Sequence, residues 1–121
     1  MSDNDQQEAP NEIIEQDKNI YSLNKNDNSA SIVGSKNMSG EIFSPCNITY
    51  NSKEYFIKSI FEEAFDESRL IKVIRFAPDS KLLTIEEKSF NNSRIESITI
   101  PSHVTKIKNY AFSNCSKLRI V

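Results

Sequence analysis

Apolar residues are thin over roughly the first 40 positions and regular after them. Residues 1–40 hold Ile13, Ile14, Ile20, Tyr21 and Leu23 among many Asp, Glu, Asn, Gln and Ser. So little apolar surface does not offset the entropy of ordering the segment, and a disordered polar tail is expected over 1–40. Within it, Asn11 as a cap and Ile14 and Lys18 on one face predict at most a short helix over Asn11–Lys18. From Ile42 the pattern turns to strands. Ile48-Thr49-Tyr50 and Tyr55-Phe56-Ile57 flank a four-residue loop, Asn51–Glu54, which predicts a hairpin with Tyr50 opposite Tyr55.

After the hairpin the apolar positions repeat. The phrase I-x-x-x-[AS]-F occurs at Ile60–Phe65, Ile85–Phe90 and Ile107–Phe112. Three residues before each Ile stands Ile57, Leu82 or Val104, and three after each Phe stands Ser68, Ser93 or Cys115. Aliphatic triplets follow: Ile71, Ile74 and Phe76; then Ile95, Ile98 and Ile100; then Leu118 and Val121. The spacings between successive Phe, 25 and 22 residues, lie inside the window of about 20–29 residues typical of leucine-rich repeats. Ile71 and Leu118 follow their small residue by three positions and Ile95 by two. A solenoid absorbs that difference in a turn, whereas inside a strand it would turn every side chain over.

One such coil has no means of burying its own apolar residues. Stacked coils do, with Ile74 set against Ile98 and Val121, and Phe65 against Phe90 and Phe112. The fold class expected is a leucine-rich-repeat solenoid of short parallel β-strands with irregular or short helical return arms. It spans 41–121 in about three repeats, the last truncated.

The stretch from Ile95 through Ile98, Ile100-Pro101, Val104 and Ile107 to Ala111-Phe112 and Cys115 resembles the BspA-like leucine-rich repeats of bacterial and protozoan surface proteins. Lys108 stands where that pattern has glycine, as do Phe61 and Glu86 in the other copies; a side chain fits there if φ stays negative. Phe76–Leu82 looks like the family's alternative turn. The resemblance implies a curved solenoid, no cofactor, and adhesion or protein binding at a cell surface. It carries over no individual functional residue, since its motif positions are structural.

The chain of 121 residues is 37% hydrophobic with a formal net charge of -2 and a pI near 5.4. Scattered single Lys and Arg give no stripe for a phosphate backbone, so no nucleic-acid partner is expected. No apolar run reaches the length of a membrane span, and the first residues have neither the basic nor the apolar region of a signal peptide. Localisation thus stays open, with the resemblance alone pointing to a surface or secreted setting.

Candidate chemistry is sparse. His103, the only histidine, follows a turn proline and lacks metal-ligand or general-base partners in the sequence. Cys115 fills a small inward slot and Cys46 sits beside Pro45, so neither reads as a nucleophile or as half of a disulfide with the other. Glu62-Glu63 and Glu86-Glu87 occupy matching outer turns and read as solvated charge rather than a glycosidase pair. Four sequons, at Asn37, Asn47, Asn91 and Asn114, are unremarkable in an Asn- and Ser-rich chain.

No enzyme, metal or cofactor is therefore expected. Between the inward strand positions, Lys72, Arg75, Glu96, Thr99 and Arg119, with Val73, Ser97 and Ile120, face outward. That row is the candidate protein-binding face, and a plain solvated face is the alternative. The leading function is a non-catalytic module for protein binding or adhesion, its partner a protein ligand or host-cell surface component. The alternatives are an incomplete repeat fragment with no role of its own and, last, an accessory domain of an enzyme. The uncapped C-terminal coil is also a candidate for self-association.

Overall fold

The computed structural model describes residues 11–36 and 39–120. Among them eleven strands form two sheets, and no helix is present. The first sheet contains β1 (Glu12–Gln16), β2 (Asn19–Asn24), β3 (Ser29–Ser35), β6 (Lys53–Ile60), β8 (Thr84–Ile85) and β10 (Lys106–Ile107), in that order, with β5 (Asn47–Tyr50) alongside β6. The second contains β4 (Ser39–Ser44), β7 (Leu70–Phe76), β9 (Ser97–Ile98) and β11 (Arg119–Ile120), all parallel. From β3 onward the chain alternates between the sheets, except that the β5–β6 hairpin stays in the first, and the core lies between them. The protein is a leucine-rich-repeat solenoid.

The register rows match the repeat. Ile42, Ile74, Ile98 and Ile120 are register partners across the second sheet. Ile32, Ile60, Ile85 and Ile107 are partners across the first. Between the sheets the rings of Phe65, Phe90 and Phe112 stack, with centroids 5.3 and 5.2 Å apart and planes 16° and 3° from parallel. Offset stacking of this kind adds to the burial of the rings. The small slot after each Phe is buried at Ser68 and Ser93 and half-buried at Cys115, whose thiol donates to the Phe90 carbonyl at 2.9 Å.

The return arms are pairs of tight turns rather than helical pieces. In the first, Ala64 N–H bonds to the Phe61 carbonyl and Ser68 N–H to that of Phe65, both at 3.2 Å. The third residue of each turn is left-handed: Glu63, Lys88 and Tyr110 in one set and Glu67, Asn92 and Asn114 in the other, all with φ of 57–62°. Phe61, Glu86 and Lys108, at the resembled glycine position, are not among the positive-φ residues. The backbone strain therefore falls two residues later, where no glycine relieves it.

Several sequence expectations need correction. The polar tail does not extend to residue 40. Residues 1–10 lie outside the described residues, but β1–β3 occupy 12–35 and bury Ile14, Tyr21, Leu23, Ala30 and Ile32. Long-range partners supply what local composition lacks, since β3 pairs in parallel with β6 more than 20 residues on. Asn11–Lys18 is accordingly strand β1 and its turn, not a helix. The hairpin loop has two residues, Asn51 and Ser52, both at positive φ (51° and 64°), the geometry of a type I′ turn. Tyr55 consequently pairs with Ile48, and Tyr50 with Lys53.

The last coil is also shifted. Ile120, expected to face outward, is the partner of Ile98, and Val121 lies outside the described residues. Phe90 to Phe112, Ile85 to Ile107 and Ile98 to Ile120 are each 22 positions apart. The odd spacing thus belongs between the first two coils, where Ile60 to Ile85 is 25 and Ile74 to Ile98 is 24.

Candidate functional site

The outer face of the second sheet is built in cross-strand rows, because alternate residues of parallel strands in register share a face. Glu41, Val73, Ser97 and Arg119 form one row, and Phe43 and Arg75 the next. Thr99 follows β9 beyond the paired residues. The five expected contact residues, Lys72, Arg75, Glu96, Thr99 and Arg119, are all exposed.

Charges alternate between neighbouring coils. The Arg75 guanidinium pairs with Glu41, and the Lys72 ammonium lies 3.8 Å from the Glu96 carboxylate. Exposed pairs of this kind contribute little to stability, roughly 0–1 kcal/mol each. Their effect is to fix which charge stands where on the face. Arg119 has no ion pair among the described residues.

Two of the concavities along the face divide the expected residues. Arg75 and Thr99 line an apolar groove of about 450 Å³ with Phe43, Phe76, Pro78 and Pro101. Glu96 and Arg119 line a more polar hollow of about 610 Å³ with Ser116 and Lys117. Lys72 lines neither.

Phe43 was not among the expected residues, yet it is a large apolar side chain of this face, 53% exposed at the groove's edge. A signal for it exists in the sequence. Ile42-Phe43-Ser44-Pro45 has the spacing of Ile98-Thr99-Ile100-Pro101, which makes it one more strand entering a proline turn.

The remaining candidates are not gathered into a reactive site. His103 is exposed on its turn. The Cys46 thiol donates to the Asp79 carbonyl at 3.2 Å, and burial, followed by the nearby Asp79 charge, pushes it above its ordinary range and so away from the thiolate. Glu86 is paired with Lys108 at 2.9 Å, while Glu62, Glu63 and Glu87 are exposed on the turns. Of the sequon residues, Asn91 bonds to Asp66 at 3.1 Å, Asn114 is exposed, and Asn37 lies outside the described residues. Among the described residues no helix is long and apolar enough to cross a membrane.

A model of the BspA type leucine rich repeat region matches residues 8–119 in six copies, so the repeats start earlier and are more numerous than the three read from the sequence. The fold is similar to that of a leucine rich cell surface protein from Faecalibacterium prausnitzii (TM-score 0.76, 22% identity, 94% of this chain and 31% of that one). It is also similar to the pneumococcal vaccine antigen PcpA (TM-score 0.63, 21% identity, 93% of this chain and 38% of that one). A leucine-rich repeat protein from Bacteroides capillosus matches over nearly its whole length (TM-score 0.55, 19% identity, 90% of this chain and 98% of that one). The chain thus spans about a third of the first two, and at these identities the likeness is one of fold. Comparison with curated protein sequences finds no match.

Proposed function

Because the chain belongs to the BspA-type leucine-rich repeat family, we propose that it is a non-catalytic protein-binding module of a cell-surface or secreted protein, and that the outer face of its second sheet makes the contact. The observation that carries this reading is Phe43, an exposed ring beside Arg75 at the mouth of an apolar groove. Aromatic and Arg side chains over such a groove are the usual anchors of protein interfaces. The groove is also about the size that accepts a few side chains of a partner. A protein ligand fits better than nucleic acid, since the chain's net charge is -2 and the face alternates in sign. The surface setting is supported by the relative from Faecalibacterium, a leucine rich cell surface protein.

The test is binding of the labelled protein to intact host cells and to a host surface-protein extract, with Phe43→Ala and Thr99→Arg as probes. Both positions point to solvent, so both variants should keep the parent's thermal unfolding. Phe43→Ala should weaken binding by roughly thirtyfold, the scale of a central anchor. Binding indifferent to both substitutions would move the contact to another face.

A further inference from the structure

The apolar groove on the outer face of the second sheet is lined by three successive strands, β4, β7 and β9, and by the turns that follow the last two. β7 lies between β4 and β9, in register with both, so its two edges are already taken. An incoming strand has no edge to add to along it, and a ligand here meets side chains alone. Phe43, Phe76, Pro78 and Pro101 make the apolar walls, and Ser97 and Thr99 add hydroxyls.

The charge of the groove is one-sided. Arg75 is the one charged residue among the described residues that line it. Its ion-pair partner Glu41 stands on the neighbouring strand, outside the lining, and the two side chains are 63% and 51% exposed. Asp79, in the turn between Pro78 and Ser80, is not a lining residue, and Lys72 and Glu96 neutralise each other outside the groove. A guanidinium has five N–H donors in a fixed fork, of which one carboxylate takes at most two. The contact with Glu41 runs through Nε, so donors remain for a second acceptor. On the other side of β7, Thr99 follows Ile98, the register partner of Ile74. Arg75 therefore stands between an acid on β4 and a hydroxyl beside β9.

Resting on the reading that this face makes the contact, we propose that the groove takes an acidic, apolar segment of extended peptide. An apolar side chain of the segment lodges among Phe43, Phe76 and the two prolines. A carboxylate of the same segment binds Arg75 on its Thr99 side, in competition with Glu41. Glu41 is thus a built-in competitor for the site. An exposed ion pair of this kind is weak, so it exchanges for a ligand carboxylate at little cost. A basic segment would set a cation against Arg75, and a wholly apolar one would leave the guanidinium donors unused. Charge complementarity therefore selects the acidic partner.

The probes are synthetic peptides of about twelve residues that share their apolar positions and carry Asp and Glu, Asn and Gln, or Lys at the others. Fluorescence anisotropy reads their binding to the full chain. The acidic set should bind about tenfold more tightly than the amide set, an advantage that fades at high salt, and the Lys set should bind least. Arg75→Gln should remove the preference. Glu41→Gln deletes the competitor and should tighten the acidic set about threefold. Circular dichroism checks that each variant is folded. Acidic peptides that bind no better than their amides, or a Glu41→Gln variant that binds them no more tightly, would each overturn the proposal. So would labelled protein that is captured by immobilised copies of itself and not by the acidic set. The broader reading fails separately, when binding to host cells ignores both Phe43→Ala and Thr99→Arg. It stands, and the acidic partner alone is removed, when Phe43→Ala weakens that binding and Arg75→Gln leaves it unchanged.

Discussion

The ring of Phe112 lies on that of Phe90 with centroids 5.2 Å apart and planes 3° from parallel, although only Phe90 is fully buried. The same ring type at the same repeat position thus faces two environments. Phe90 has a ring on each side, while Phe112 has one and a partly open face. Phe90→Ala should cost about 3–5 kcal/mol, the range for emptying a buried aromatic site. Phe112→Ala should cost clearly less. Urea unfolding of the two variants checks this, and equal losses would mean that the spine has no centre.

The left-handed turn residues lead to a paired prediction. Glu67 has φ of 58° and Glu62 does not have positive φ, and both are exposed turn residues. Glycine removes the left-handed penalty at the first and only adds chain entropy at the second. Glu67→Gly should stabilise by about 0.5–1 kcal/mol, and Glu62→Gly should destabilise by about the same. Thermal melts that move in one direction for both would argue against two different turn conformations.

Asn19 joins the sheets at the N-terminal end. Its buried amide donates to the Tyr21 hydroxyl at 3.1 Å and to the Phe43 carbonyl at 2.7 Å. Asn19→Ala leaves that carbonyl without the amide and should cost about 1–3 kcal/mol. Tyr21→Phe loses one weaker contact and should cost less. Hydrogen exchange should show β4 opening first in the Asn19 variant; unchanged protection there would remove the amide from this role.

Acid sensitivity is expected at Glu12. Hydrogen bonds from Lys25 and Tyr50, both at 2.7 Å, hold its carboxyl below the ordinary range. A carboxyl with a depressed folded-state pKa binds its proton more weakly than the unfolded chain does. Its stabilisation is therefore complete above the unfolded value of about 4.3 and is lost as pH falls through the lower folded one. Glu12→Gln should flatten the acid limb of the stability profile and leave the neutral-to-alkaline dependence alone. A profile by urea titration that keeps its acid slope would assign that slope to other carboxyls.

Much of the solenoid was legible because its core is periodic. Ile60, Ile85 and Ile107 recur with Ala or Ser and then Phe at fixed offsets, and a recurring offset forces equivalent side chains onto one row. The outward position of Arg75, Thr99 and Arg119 followed from alternation about Ile74 and Ile98, whereas Lys72 and Glu96 are exposed where two residues separate the buried Ile71 from Ile74 and Ile95 from Ile98. The N-terminal strands were not read, although Tyr21 and Leu23, then Ala30 and Ile32, alternate as strand residues should. Their neighbours are polar, and the partners that bury them lie far along the chain in β6 and the hairpin.

The sequence by itself determined the repeat unit, the order of its strands and turns and the aromatic spine, since these depend only on which residues recur and how far apart. Tertiary structure decided where the stack begins, which residue of the last coil meets Ile98, and that Phe43 stands beside Arg75 at one groove. Those outcomes depend on register, and register is chosen by backbone hydrogen bonds to a neighbouring coil some 22–32 positions away, which no local pattern encodes.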